Sequence, residues 1–157
     1  MSEQLTTEVD WRFRHFSALS PVELARIYRA RQQVFGIEQQ CVYLDADEYD
    51  ELSYHLAAWS PAHAVPLAYA RLVKPGAKYA EASVGRVITT APARGRGLGR
   101  ELVGRVIEHC ALLHPGHGIR ISAQERLARF YAEFGFLRVG VPYMEDGIPH
   151  LEMLRPA

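Results

Sequence analysis

Arg94-Gly95-Arg96-Gly97-Leu98-Gly99-Arg100 is the stretch on which the reading of this chain turns. Three glycines alternate where a strand-like run, Val84 to Thr89, gives way to apolar residues at 98, 102, 103, 106, 107, 110 and 113, the spacing of an amphipathic helix. Missing side chains let backbone amides approach a ligand closely, and amides at a helix start are unpaired and lie at the positive end of the helix dipole. A diphosphate there gains hydrogen bonds and favourable charge together, with Arg94, Arg96 and Arg100 adding positive charge nearby. A dinucleotide loop, GxGxxG from Gly95 or Gly97, needs its third glycine where Arg100 or Leu102 stands, and the chain holds no Gly-Lys-Ser or Gly-Lys-Thr triplet for a P-loop. Nucleotide-dependent oxidoreduction and ATP chemistry fail on that spacing.

Upstream of the loop, residues 11 to 16 alternate apolar with polar, the period of a half-buried strand. Ser20, Pro21 and Glu23 then make a helix start with a capping box, followed by Leu24, Ile27, Tyr28, Val34 and Phe35 at helical spacing, with Gly36 as the expected stop. Tyr54 to Trp59 and Leu67 to Val73 read as two strands of an antiparallel hairpin. Downstream, His114, Pro115 and Gly116 stop the helix that opens at Leu98. Ile119, Ile121 and Ala123 suggest a strand, and a short helix carries Leu127, Phe130, Tyr131 and Phe134 as far as Gly135. Strands around 136 to 143 and 149 to 154 close the chain. The order predicts a mixed α/β fold with a central sheet flanked by helices.

At 157 residues with 48% hydrophobic content, the chain suits one domain, residues 1 to 157. Lys plus Arg and Asp plus Glu both number 18, so net charge gives no argument for nucleic acid or a membrane as partner. The opening Met-Ser-Glu-Gln-Leu-Thr-Thr-Glu lacks the basic and apolar parts of a signal peptide, and a cytoplasmic protein is expected. Cys41 and Cys110 are too few for a disulfide framework, and buried, reduced thiols are expected. His63, His114 and His117 lack cysteine partners, so no metal site is expected.

The pattern RxxGxG, met by Arg94, Gly97 and Gly99, resembles the GNAT superfamily of N-acetyltransferases. So do the strand Gly85-Arg86-Val87-Ile88-Thr89 and the later run Gln124-Glu-Arg-Leu-Ala-Arg-Phe-Tyr-Ala-Glu-Phe-Gly-Phe136, which is similar to that superfamily's NxxAxxFYxxxGF with Gln124 and Leu127 in place of the usual Asn and Ala. Arg31-Gln-Gln-Val-Phe-Gly-Ile-Glu-Gln39, Ala68-Tyr-Ala-Arg71 and Asp146-Gly-Ile-Pro-His150 resemble the ElaA-like branch. The resemblance implies a GNAT fold, a mostly antiparallel twisted sheet of six to seven strands with helices on both faces. It implies acetyl-CoA as co-substrate, with no metal, and an amine acceptor on a small molecule, peptide or protein, in a monomer or homodimer. It assigns CoA contacts to Val87, Ile88, Thr89, the loop Arg94, Gly95, Arg96, Gly97, Leu98, Gly99 and Arg100, and Gln124.

Direct transfer from a thioester requires an oxyanion to be stabilised and offers work for a base and an acid. Tyr131, at the tyrosine of the family's Phe-Tyr pair, is the expected acid; a core tyrosine packed beside Phe130 and Phe134 is the bland alternative. Glu38, Asp47, Glu48, His55 and Glu81 are candidate bases, with Glu38 and His55 foremost. The acidic run Asp45 to Asp50 fails as a calcium loop, having Asp50 and Leu56 where glycine and glutamate are required, and reads as a solvated turn or an attractor of a cationic amine. Arg71 and Arg86 stand within strands, where they pair with acids or hold an anionic group of the acceptor. His150 follows the Asp146-Gly147 turn and, by resemblance, sits beside the cleft. The competing class is a non-catalytic module that senses CoA or an acyl-CoA; it needs the loop but no proton donor.

Overall fold

The computed structural model describes residues 8–157; the first seven residues, part of the stretch read for a signal peptide, lie outside them. Seven strands, β1 (Asp10–His15), β2 (Tyr54–Trp59), β3 (Ala68–Val73), β4 (Ala82–Thr89), β5 (Ile119–Gln124), β6 (Leu137–Glu145) and β7 (Ile148–Arg155), form one sheet in the order β1-β2-β3-β4-β5-β7-β6. All neighbours are antiparallel except β4 and β5. The expected mixed, mostly antiparallel sheet is therefore present.

Among the described residues three α-helices cover it. In α1 (Pro21–Arg31) Ser20 Oγ accepts from the Glu23 amide at 3.1 Å, and Glu23 accepts from the Ser20 amide at 3.2 Å, the expected capping box. Gly36 does not stop this helix. Its backbone stays out of the left-handed region, and the chain continues through a π-helical turn, Gln32–Glu38, closed by the Gln39 amide on the Val34 carbonyl at 2.9 Å. Helix α2 (Leu98–Leu113) has the bounds its apolar spacing predicts, and α3 (Ala128–Ala132) follows a 3₁₀ turn at Glu125–Leu127.

Strand alternation sorts the core onto two faces. Leu56, Ala58, Ala68, Ala70, Leu72 and Val84 join Leu102, Val103, Val106 and Tyr131 under α2 and α3, whereas Ala57, Tyr69 and Ile88 meet Ile27, Ala30 and Val34 under α1. A bulge in β4 switches the parity: Tyr69 pairs with Ile88 but Arg71 with Gly85, so β4 holds one residue more than β3. Arg86 sits in that bulge at φ +53°, a left-handed conformation costing a non-glycine residue about 1–2 kcal/mol.

The feature that positions the site is the junction of β4 and β5. Only Ala82–Ile119 and Ser83–Arg120 are paired, after which the strands part. Gly118 lies at this apex; its carbonyl accepts from the Ala82 amide at 3.2 Å, and a Cβ there would meet the Arg155 carbonyl oxygen at 2.7 Å. No described helix is long and apolar enough to cross a membrane.

Candidate active site

Beyond Ser83 the β5-facing edge of β4 has no strand partner, and a cavity of about 830 Å³ opens along it. Val87, Ile88 and Thr89 line one wall; Ile121, Ala123, Gln124, Leu127, Phe130 and Tyr131 line the other. The π-turn forms its rim. Glu38 reaches the Arg94 guanidinium, which also donates to the Thr89 carbonyl at 3.0 Å, and Gln39 Oε1 accepts from Gln124 Nε2 at 3.0 Å. The wider π-turn thus sets adjacent side chains against the ends of the two diverging strands.

The glycine loop begins where this cavity ends. Gly95 and Gly97 adopt φ of +79° and +75°, and α2 starts from Gly97 with no side-chain cap, so its first amides are left for water or a ligand. Arg94 and Gly99 line the cavity; Gly95, Arg96, Gly97, Leu98 and Arg100 lie beyond its outline. The Leu98 side chain is buried in the core, and Arg100 pairs with Glu133 over the ring of Phe130.

Tyr131 stands in the cavity wall, packed edge-on against Phe130 and Phe136. Burial pushes its phenol up to about 12 against the opposing charge of Arg126, so it carries its proton at any physiological pH.

The acidic run is not a solvated turn. Asp50 is 1% exposed and accepts from Arg31 at 2.7 and 3.3 Å and from Arg71 at 3.0 Å. Asp45 takes Arg31 at 2.7 Å, and Asp47 takes Arg71 at 2.6 and 3.2 Å and Arg86 at 3.2 Å. Arg71 and Arg86 are therefore paired with acids, and three guanidinium groups balance three carboxylates beneath the cavity wall. Burial opposes the ionised form of Asp50, but the hydrogen bond and charge of Arg31 prevail, with Asp47 and Arg71 helping, and hold its carboxyl at about 2. Arg86 Nε lies 2.9 Å from Asp45 Oδ1 without hydrogen-bonding geometry, so this contact is electrostatic.

His55 lies outside the cavity, 1% exposed among these charges. Its Nε2–H donates to the Asp50 carbonyl at 2.9 Å and its Nδ1 accepts from the Tyr69 hydroxyl at 2.6 Å, since a carbonyl oxygen can only accept. Burial lowers its pKa to about 4, with Arg31 and Arg71 adding to the effect. Between pH 6.5 and 4 the unfolded chain takes up a proton that the folded state refuses, so stability falls on acidification by up to about 3 kcal/mol. Urea midpoints measured across that window should drop for the native sequence and drop less for His55→Gln; equal slopes would contradict a buried neutral imidazole.

Other placements were not legible in advance. Cys41 is half-buried and lines the cavity, unlike the buried thiol expected, whereas Cys110 is buried. Lys78 also lines the cavity, over the rings of Tyr49 and Tyr79, and forms no ion pair among the described residues. Its loop carries no motif that would have singled it out. Arg71, Arg86, Glu145, Asp146 and His150 complete that end, while Glu48 and Glu81 lie outside the cavity and Glu81 is held by Arg120. Among the described residues, no group of three or more His, Cys, Asp or Glu is arranged to hold a metal.

A half-open mixed sheet, a glycine loop at a bare helix start and a tyrosine in the gap together define an acyltransferase of the GNAT type, and the chain belongs to that family: residues 43–155 match the acetyltransferase (GNAT) domain. Within it the chain falls in the ElaA-like branch. It is 42% identical over 147 residues to the UPF0039 protein sll0451 of Synechocystis, covering 94% of this chain and 95% of that one. Protein ElaA of Escherichia coli is 35% identical over 149 residues, covering 94% and 96%. A crystal structure of an acyl-CoA N-acyltransferase from Pseudomonas aeruginosa superposes with a TM-score of 0.90 at 35% identity, over 94% of this chain and 99% of that one.

Proposed function

We propose that the protein transfers an acetyl group from acetyl-CoA to a primary amine by direct attack, with Tyr131 as the general acid. The observation that carries this reading is the gap between β4 and β5, which joins an unpaired strand edge, a protonated tyrosine and the glycine loop. The diphosphate of CoA is assigned to the amides from Gly95 to Arg100, with Arg94 and Arg96 beside it. The pantetheine arm lies along Val87, Ile88 and Thr89, whose main-chain groups serve it as a neighbouring strand would. An amide of the same edge supports the oxyanion. As the tetrahedral intermediate collapses, the C–S bond breaks and Tyr131 delivers its proton to the departing sulfur.

The test is incubation with acetyl-CoA and a mixed amine and peptide library, following thiol release and identifying products by mass spectrometry. Acylated product with stoichiometric free thiol supports transfer. Thermal stabilisation by CoA with no thiol release across the library supports a sensor of CoA instead and overturns the reading.

A further inference from the structure

We infer that His150 is the base that takes a proton from the incoming ammonium. This deepens the transfer reading and rests on it. Of the five groups that the sequence offered as bases, Glu48, His55 and Glu81 lie outside the cavity. Asp47 lines it, but its oxygens are occupied by Arg71 and Arg86, and Glu38 is tied to Arg94. Carboxylate lone pairs already accepting from guanidinium groups are not free to face an acceptor amine.

His150 is differently placed. On β7 it stands opposite Gln124 of β5 and Tyr143 of β6, in the cavity wall at the wide end of the gap. Its Nδ1 lies 2.7 Å from the Ile148 carbonyl oxygen. That oxygen can only accept, so the proton of the neutral ring sits on Nδ1 and the lone pair on Nε2. Glu145 Oε2 is 3.5 Å from Nε2, long for a hydrogen bond and within ion-pair reach of an imidazolium. Tyr143 lies over the ring at 6.1 Å between centroids and 25° between planes, and the Nδ1 hydrogen bond sets the ring's orientation. Tautomer, orientation and counter-charge are thus all supplied by the β6–β7 hairpin. Glu145 and Asp146, also in the wall, place negative charge at this end, which they share with the Lys78 ammonium.

The proton balance closes. The ammonium gives one proton to His150 Nε2, and the freed lone pair forms the C–N bond. As C–S breaks, Tyr131 gives its proton to sulfur and is restored by the second proton leaving nitrogen. The products are the amide, the free thiol of CoA and one proton on His150.

The test uses His150→Asn, whose amide can still donate to the Ile148 carbonyl, with acetyl-CoA and two acceptors: the best alkylamine of the library, protonated near neutral pH, and methoxyamine, a weak base that is neutral there. Loss of a general base should lower kcat for the alkylamine about 100-fold, within the usual range for proton transfer, with KM for acetyl-CoA within twofold and the methoxyamine rate within about threefold. Glu145→Gln should lower the alkylamine rate by a smaller factor while again sparing methoxyamine. Equal losses with both acceptors would make His150 a structural residue, and no loss with either would remove it from the chemistry; each outcome overturns the assignment while the transfer reading stands. A native protein that acylates no amine overturns both.

Discussion

Asp50→Ala is expected to lower the unfolding free energy by about 3–5 kcal/mol, because it strips the shared counter-charge from two buried guanidinium groups. Arg31 and Arg71 are 0% and 1% exposed and both donate to this carboxylate, as does the Asp47 amide at 2.9 Å. Against the 5–15 kcal/mol that holds an ordinary domain folded, such a loss removes a large share of the margin. Chemical denaturation at pH 7 measures it, and a loss below about 1 kcal/mol would show that water or Asp45 and Asp47 compensate. Acid should act on the same residue. Its folded carboxyl is held at about 2, below its ordinary value of 3.8, so its contribution is present above pH 3.8 and is lost as pH falls towards 2. Asp50→Ala should flatten that part of the acid unfolding curve.

Tyr131→Phe is expected to reduce kcat by a factor of about 10² to 10⁴, while the Kd for CoA stays within two- to threefold. The substitution removes a hydroxyl and leaves the ring packed on Phe130 and Phe136, so cavity shape and fold are retained. Because the phenol lies at about 12, its ionisation should give no falling limb in the rate profile below about pH 10. Steady-state kinetics of thiol release, paired with calorimetric titration of CoA, provide the measurement. Unchanged turnover would end the acid assignment.

What the sequence revealed follows from how local each signal is. Helix α2 is readable to its last residue because its apolar period lies within it and its opening glycine and the His114-Pro115-Gly116 stop directly adjoin it. The capping box at Ser20 and the glycine stop at Gly135 belong to the same class. The run Asp45 to Asp50 misled because its partners are remote: Arg31 precedes it by a helix, whereas Arg71 and Arg86 come from two later strands. An acidic segment looks solvated until those strands are placed beside it. Gly36 misled for a subtler reason, since glycine stops a helix only if its backbone turns left-handed, and a π-turn carries it onward instead. His150 was visible as a residue after a hairpin turn, but its bare Nε2 depends on the Ile148 carbonyl and so on the finished hairpin.

The two-rung union of β4 and β5 also acts as a pivot. Thr89 stands six residues beyond the last rung, so the part of β4 that leaves β5, while still laddered to β3, is about 20 Å long at ordinary strand rise. One degree of rotation at Ala82 and Ser83 therefore moves its tip by about 0.3 Å, roughly a tenth of a hydrogen-bond length. Small changes in sheet twist, introduced by substitutions as far away as β1 or β2, are magnified at the mouth of the gap. The aperture of this molecule is in that sense set by the whole sheet, and Gly118, with no room for a Cβ beside the Arg155 carbonyl, keeps the fulcrum closed.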